Sequence, residues 1–304
     1  MAIERIPYDE MAMFQENAEE FGLPYASPPV VHCTSVDLEA GRQLSALVWG
    51  DGEAELVFLH GGAQNAHTWD TVAMALDRPL VAIDLPGHGH SDGGRNGYLD
   101  VAANADDVAV AIRALAPRAK VVVGMSLGGA TALALAGAHP DVVRSIVLVD
   151  VTPGVDGDKA KQIIAFINGP ESFPSFEEIL ARTIEFNPTR TEASLRRGIL
   201  HNAVQLDDGS WVWRYARHRG AQPTTTSSPD LLDLWEVVSG LDVPLMLVRG
   251  MRPQSVVVDS DEAELLRRKP EARVEHVTEA GHSVQGDAPL ELAALIEDFV
   301  RRQR

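Results

Sequence analysis

The chain has 304 residues, 45% of them apolar, with one cysteine and a formal net charge of −18. That length and apolar share suffice for a full core, as one large α/β domain or one domain carrying an inserted subdomain, and Cys33 alone excludes an internal disulfide framework and suits a reducing compartment. The acidic balance argues against nucleic acid, anionic membrane or polyphosphate partners, which would be repelled over most of the surface.

In chain order, Met1–Glu20 is acidic and polar, without the basic start or apolar core of a signal peptide. No later stretch approaches ~18 uninterrupted apolar residues, so no membrane span and a cytoplasmic location are expected. Residues 1–30 read as a separate, partly helical extension, a packing or oligomer arm on which a homodimer could be built. Alternating short apolar runs and helical stretches then predict strands at Cys33–Leu38, Gln43–Trp49, Glu55–His60, Leu80–Asp84, Lys120–Gly124 and Ser145–Asp150. Helices fit at His67–Leu76, Val101–Leu115 and Leu127–Ala138, which gives a parallel sheet covered by helices. From Thr152 to Gly240 the alternation stops and the chain becomes polar and helical, with a Thr/Ser/Pro run at Gln222–Pro229. It resumes with strands at Pro244–Arg249 and Ala272–Val277 and helices at Asp261–Lys269 and Leu290–Arg301. The expected organisation is an extension (1–30), a core (31–151 and 239–304) and an inserted helical cap (152–238).

The fifth strand runs into Gly124-Met125-Ser126-Leu127-Gly128 and then a helix, the pattern of a nucleophile elbow. So sharp a turn needs small residues on either side of Ser126, and it raises the hydroxyl at the sheet edge, where the helix N-terminus points. A serine hydroxyl is a weak nucleophile near neutral pH and needs a base and a group that orients the base. Among ten histidines, His282 in Ala280-Gly281-His282 follows the last strand and sits where the order Ser, Asp, His would put it. His60, His88 and His90 lie in glycine-rich loops near strand ends. The other six, His67 and His201 among them, have no such setting. Asp84, His88 and His90 lack a third nitrogen or sulfur ligand at metal-site spacing, so no metal and no cofactor are expected.

With His60-Gly61-Gly62 after the third strand, Asp84-Leu85-Pro86-Gly87-His88-Gly89-His90-Ser91-Asp92 after the fourth, the elbow at Ser126 and Gly281-His282, the chain resembles an α/β-hydrolase fold enzyme from Val31 to Arg304. The resemblance implies an eight-stranded, mostly parallel sheet with helices on both faces and a helical cap inserted after the sixth strand. In most members the acid follows the seventh strand, but Arg249-Gly250-Met251-Arg252-Pro253-Gln254-Ser255 holds no carboxylate. Some members carry it on the sixth strand instead. There Asp150 closes an apolar run, where a carboxylate needs a partner such as His282, and Ser255 would donate a hydrogen bond that keeps it ionised. Asp259 and Asp261 are the competing candidates, although both look like ordinary helix caps.

The oxyanion formed on ester attack needs backbone N–H donors, assigned to Leu127 and Gly62. Ala63 and Trp213 are candidate substrate contacts. Trp213 stands in an alternation, Trp211, Trp213, Tyr215, that reads equally well as a pocket wall or as a short packed strand of the cap, and Phe166, Ile164 and Leu200 are similarly open. The expected activity is that of a serine hydrolase (carboxylesterase-like) acting through an acyl-enzyme on a small-molecule ester, thioester or lactone with an apolar part. Carbon–carbon bond hydrolases and cofactor-free perhydrolases resemble the same constellation, and a ligand receptor on a hydrolase fold is the rival of another class.

Overall fold

The computed structural model describes residues 5–97, 99–155, 157–215 and 231–303. The Gln222–Pro229 run lies outside them. Helix α1 (Phe14–Phe21) precedes an antiparallel hairpin, β1 (Val31–Asp37) and β2 (Gln43–Trp49). There follow β3 (Leu56–Leu59), α2 (Asp70–Leu76), β4 (Leu80–Ile83), α3 (Val101–Leu115), β5 (Val121–Met125), α4 (Leu127–Ala138) and β6 (Ile146–Val149). The middle segment contains α5 (Gly157–Ile167), β7 (Ser172–Phe173), α6 (Phe176–Phe186), α7 (Glu192–Asn202), β8 (Ala203–Gln205) and β9 (Trp211–Trp213). The chain closes with α8 (Leu234–Ser239), β10 (Leu245–Gly250), α9 (Asp259–Arg268), β11 (Arg273–Val277), α10 (Val284–Asp287) and α11 (Pro289–Arg302).

Eight strands form one sheet in the order β1-β2-β4-β3-β5-β6-β10-β11, parallel from β4 onward. Its inner strands are apolar runs such as Val121-Val122-Val123 and Ile146-Val147-Leu148-Val149, because helices cover both faces and no side of the pleat meets water. Side chains of α3, α4, α8 and α9 pack on one face, and those of α1, α2 and α11 on the other. The predicted strands and helices are present with ends moved by one to three residues; β2, α3 and α4 coincide with their predicted bounds.

Three features go beyond the sequence reading. The middle segment is not wholly helical, since β7, β9 and β8 make a three-stranded antiparallel sheet. Trp211, Val212 and Trp213 are all buried, so both faces of this ribbon are covered, which favours aromatic and β-branched residues in extended form. Secondly, α8 straddles the boundary expected at residue 238 and belongs to the main core through Leu234, Trp235 and Val238. Thirdly, the N-terminal extension packs within its own chain. Phe14 is buried edge-to-face on Trp49, while Ile6, Tyr8 and Met13 join the hydrophobic centre of the middle segment.

What positions the site is the junction of β5 with α4. A Cβ on Gly128 would collide with the carbonyl oxygen of Leu59 on β3, and one on Gly124 with the carbonyl of Gly128. Neither partner is a side chain that could turn away. Gly128→Ala should therefore lower stability in urea unfolding by about 1–3 kcal/mol, whereas Gly198→Ala, in open space on α7, should stabilise by up to about 1 kcal/mol. An unchanged midpoint for Gly128→Ala would show that the junction is looser than described.

Candidate active site

Ser126 sits between β5 and α4 with φ 50° and ψ −116°, a backbone conformation that L-residues rarely adopt. Ala63 (φ 59°) and Asp150 (φ 47°) share the positive sign, so three of the five such non-glycine residues among those described lie at this one place. Strain of this kind persists only where the surroundings enforce it. Ser126 and His282 open onto one cavity of about 390 Å3, whose walls include Gly62, Ala63, Met125, Phe166, Ile167 and Gln254. No hydrogen bond joins Ser126 to His282 among the described residues.

Asp150 follows β6 and is fully buried. Its Oδ2 accepts from His282 Nδ1 at 2.9 Å and from the Val256 N–H at 3.1 Å. Its Oδ1 accepts from the Ser255 hydroxyl at 2.6 Å and from the Gly250 N–H at 3.0 Å. Four donors offset the cost of burying the carboxylate. Because a carboxylate only accepts, the proton of neutral His282 stands on Nδ1, which leaves Nε2 as the free base. Asp259 and Asp261 are engaged elsewhere: Asp259 pairs with Arg249 at 2.8 Å, and Asp261 accepts the Val258 N–H at the start of α9.

The loop after β3 is fixed from behind. Gln64 Oε1 accepts the Gly61 N–H at 3.1 Å, and His88 Nε2 accepts the Ala63 N–H at 3.1 Å. Gly62 is left between them as an N–H without a partner among the described residues, at the cavity wall. The first N–H groups of α4, beginning with Leu127, likewise have no acceptor within the helix. His60 and His88 serve as struts: His60 Nδ1 donates to the Gly61 carbonyl while Nε2 accepts the Leu85 N–H. Burial holds the His60 imidazole well below its usual range, which keeps this acceptor neutral. Asp84 accepts the Ala66 and His90 N–H groups, so the Asp84–Asp92 loop is scaffold beside the site.

The structure thus brings together Ser126, His282, Asp150, Ser255, Leu127, Gly62 and Ala63. Trp213 is a correction: it does not reach the cavity but packs behind Phe166, ring centroids 5.8 Å apart, because β9 turns it into the buried centre of the middle segment. Phe166 and Phe186 form the aromatic wall instead, Ile164 is exposed, and Leu200 is buried. Two residues escaped the sequence reading. One is Gln64; the other is Asp287, whose Oδ2 accepts the Gly281 N–H at 2.9 Å next to His282, while Oδ1 accepts the Thr189 hydroxyl at 3.0 Å. Neither belongs to a motif, although Gln64 lies two residues from Gly62. Asp150→Asn should lower kcat by about 10^4-fold, through the wrong imidazole tautomer. Asp259→Asn should stay within about threefold, and the reverse order, read in steady-state ester assays, would move the acid.

Residues 56–295 match the profile of the alpha/beta hydrolase family. The chain is 44% identical over 295 residues to esterase Rv0045c of Mycobacterium tuberculosis, covering 95% of this chain and 94% of that protein. A solved structure of that esterase, from work on its inhibition by transition metals, superposes with a TM-score of 0.83 at 42% identity over 97% of this chain and all of the other. It is also 28% identical to a 2-(acetamidomethylene)succinate hydrolase of Mesorhizobium japonicum, over 88% of this chain and 96% of that one. The chain belongs to the alpha/beta hydrolase family.

Proposed function

We propose that this chain is a serine esterase in which Ser126 is the nucleophile, His282 the general base and then acid, and Asp150 the group that orients His282. Ser126 Oγ attacks the ester carbonyl as its proton passes to His282 Nε2, and the N–H groups of Leu127 and Gly62 receive the oxyanion. Collapse expels the alcohol, which takes the proton from His282. Water then repeats the sequence on the acyl-enzyme and releases the acid. The observation that carries this reading is the 2.9 Å hydrogen bond from His282 Nδ1 to buried Asp150, with Ser126 and His282 opening onto one cavity. Ester cleavage is further supported by the 44% identity to a protein named as an esterase.

In this reading residues 157–213, from α5 to β9, belong to the lid, and α5 supplies Gln162, Ile163, Phe166 and Ile167 to the cavity. No described helix is long and apolar enough to cross a membrane; the cytoplasm is our reading of the compartment, from the lone Cys33. The cavity volume, at the lower end of the range for small-molecule sites, suits a compact ester better than a long-chain lipid.

A p-nitrophenyl ester series should give its highest kcat/KM at acyl chains of about two to six carbons and decline beyond about ten. Ser126→Ala should lose about 10^6-fold in kcat while melting as the wild type does. Wild-type turnover in that variant would overturn the nucleophile assignment, and a maximum at long chains would overturn the size reading. A single covalent event without turnover in the wild type would favour a receptor.

A further inference from the structure

Asp150 holds the ring of His282, but an imidazole is aimed as much by its backbone as by its partner, and that backbone has a carboxylate of its own. After the histidine the chain turns into α10, where the Gly286 and Asp287 N–H groups donate to the Ser283 carbonyl at 2.8 and 2.9 Å. The turn brings Asp287 back to the residue before the histidine, and its Oδ2 accepts the Gly281 N–H at 2.9 Å. Gly281 is itself seated on the loop after β10, since a Cβ there would stand 2.8 Å from the Gln254 Cβ. The segment 281–287 is thus a ring that contains His282 and is closed by the Asp287 side chain.

The other oxygen of this carboxylate leaves the ring. Asp287 Oδ1 accepts the Thr189 hydroxyl at 3.0 Å, from the loop between α6 and α7. Asn187, Pro188 and Thr189 of that loop border the catalytic cavity together with His282 and Asp287. The loop has a second seat on α10, because a Cβ on Gly286 would stand only 3.0 Å from the guanidinium carbon of Arg190. A single rigid carboxylate therefore sets the distance between the Thr189 wall of the cavity and the backbone next to His282. Local structure does not ask for an acid here: Asp287 ends a helical turn, where unpaired carbonyls disfavour negative charge.

We propose that Asp287 is a positioning residue for the hydrolytic reaction, which keeps the cavity wall at Thr189 in register with His282 by holding both through one carboxylate. The inference rests on His282 being the base proposed above. An ester that seats against Asn187–Thr189 then meets a wall already aligned with Nε2 of the base. Misplacing an aligned reacting group by about 1 Å costs on the order of 100-fold in rate, which is what release of the Gly281 N–H puts at stake. Loss of the Thr189 hydroxyl alone frees the wall and leaves the Gly281 N–H held, so its effect is the smaller of the two.

The test compares variants of the full chain by steady-state kinetics on p-nitrophenyl butyrate and by the rate of fluorophosphonate reaction at Ser126. Asp287→Ala should lower kcat by about 30- to 100-fold with KM within about threefold of the wild type, and should slow the fluorophosphonate reaction by a similar factor. Asp287→Asn, whose amide can accept from Gly281 and donate to Thr189, should recover to within about fivefold of the wild type. Thr189→Val should cost about 3- to 10-fold in kcat, and Thr189→Ser should restore it. In the double variant Thr189→Val/Asp287→Ala the two losses should not add, because the bond they share is already gone. The downfield proton resonance of the His282–Asp150 hydrogen bond is a readout that a merely structural role would leave in place; it should shift or broaden in Asp287→Ala and be kept in Asp287→Asn. Wild-type kcat in Asp287→Ala, a loss confined to KM, or additive losses in the double variant would each overturn the proposal while Ser126 still reacts in the wild type. No reaction at Ser126 in the wild type would instead overturn the catalytic reading, and the proposal with it. If Asp287→Ala does not fold, Thr189→Val decides, and wild-type rates in that variant would overturn the proposal.

Discussion

The site depends on one buried charge. Asp150 is fully buried at the end of β6, and its carboxylate is met by a side chain from the loop after β11, a side chain and an N–H from the loop after β10, and the last N–H of β10 itself. Removing any one of these leaves a polar group unsatisfied in a low-dielectric place, where the penalty is largest. The carboxylate therefore locks three chain segments to one another, and His282 receives its orientation as part of that lock. The absence of an acid from the turn after β10 is explained by the same geometry: Ser255 occupies that turn as a donor to Asp150 rather than as an acceptor for histidine.

Around this charge the fold spends strain and close contact on a single place. Ala63, Ser126 and Asp150 all carry positive φ, and the β5–α4 junction approaches β3 so closely that a methyl group at Gly128 has no room. Rigid partners hold these conformations. Neutral His60 and His88 tie the loop after β3 to the loop after β4, and Gln64 takes the Gly61 N–H. In the proposed mechanism the N–H groups of Gly62 and Leu127 receive the oxyanion, and their positions would be set by scaffold rather than by substrate, the form of electrostatic stabilisation that needs no reorganisation during reaction.

The core was legible because each of its determinants is local. Apolar β-branched runs mark strands buried on both faces, and the elbow announces itself through two glycines and a serine. Asp150 could be found by an energetic argument, since a carboxylate ending an apolar strand must have a partner. The middle segment was less legible. The alternation Trp211, Trp213, Tyr215 fits a pocket wall and a packed strand equally well, and only the tertiary arrangement of β7, β8 and β9 decides for the second. Gln64 and Asp287 act through backbone N–H groups, a role that carries no sequence signature. The pairing of His67 with His201 is invisible for another reason: the two are far apart in sequence and meet only because the N-terminal extension, α2 and α7 pack together.

That packing makes the extension part of the middle segment's own support. Tyr8 meets His201, Asn17 and Glu20 meet Arg197, and Glu10 meets His67, so α7 of the middle segment is strapped to the core by residues from the start of the chain. The account nevertheless stands on Ser126. Its most direct test is reaction of the full chain with a fluorophosphonate, followed by intact mass and peptide mapping. One adduct on Ser126, formed at the rate at which esterase activity disappears, is the predicted result. An adduct on Ser283, which borders the same cavity, or none in protein that still turns over esters, would contradict it.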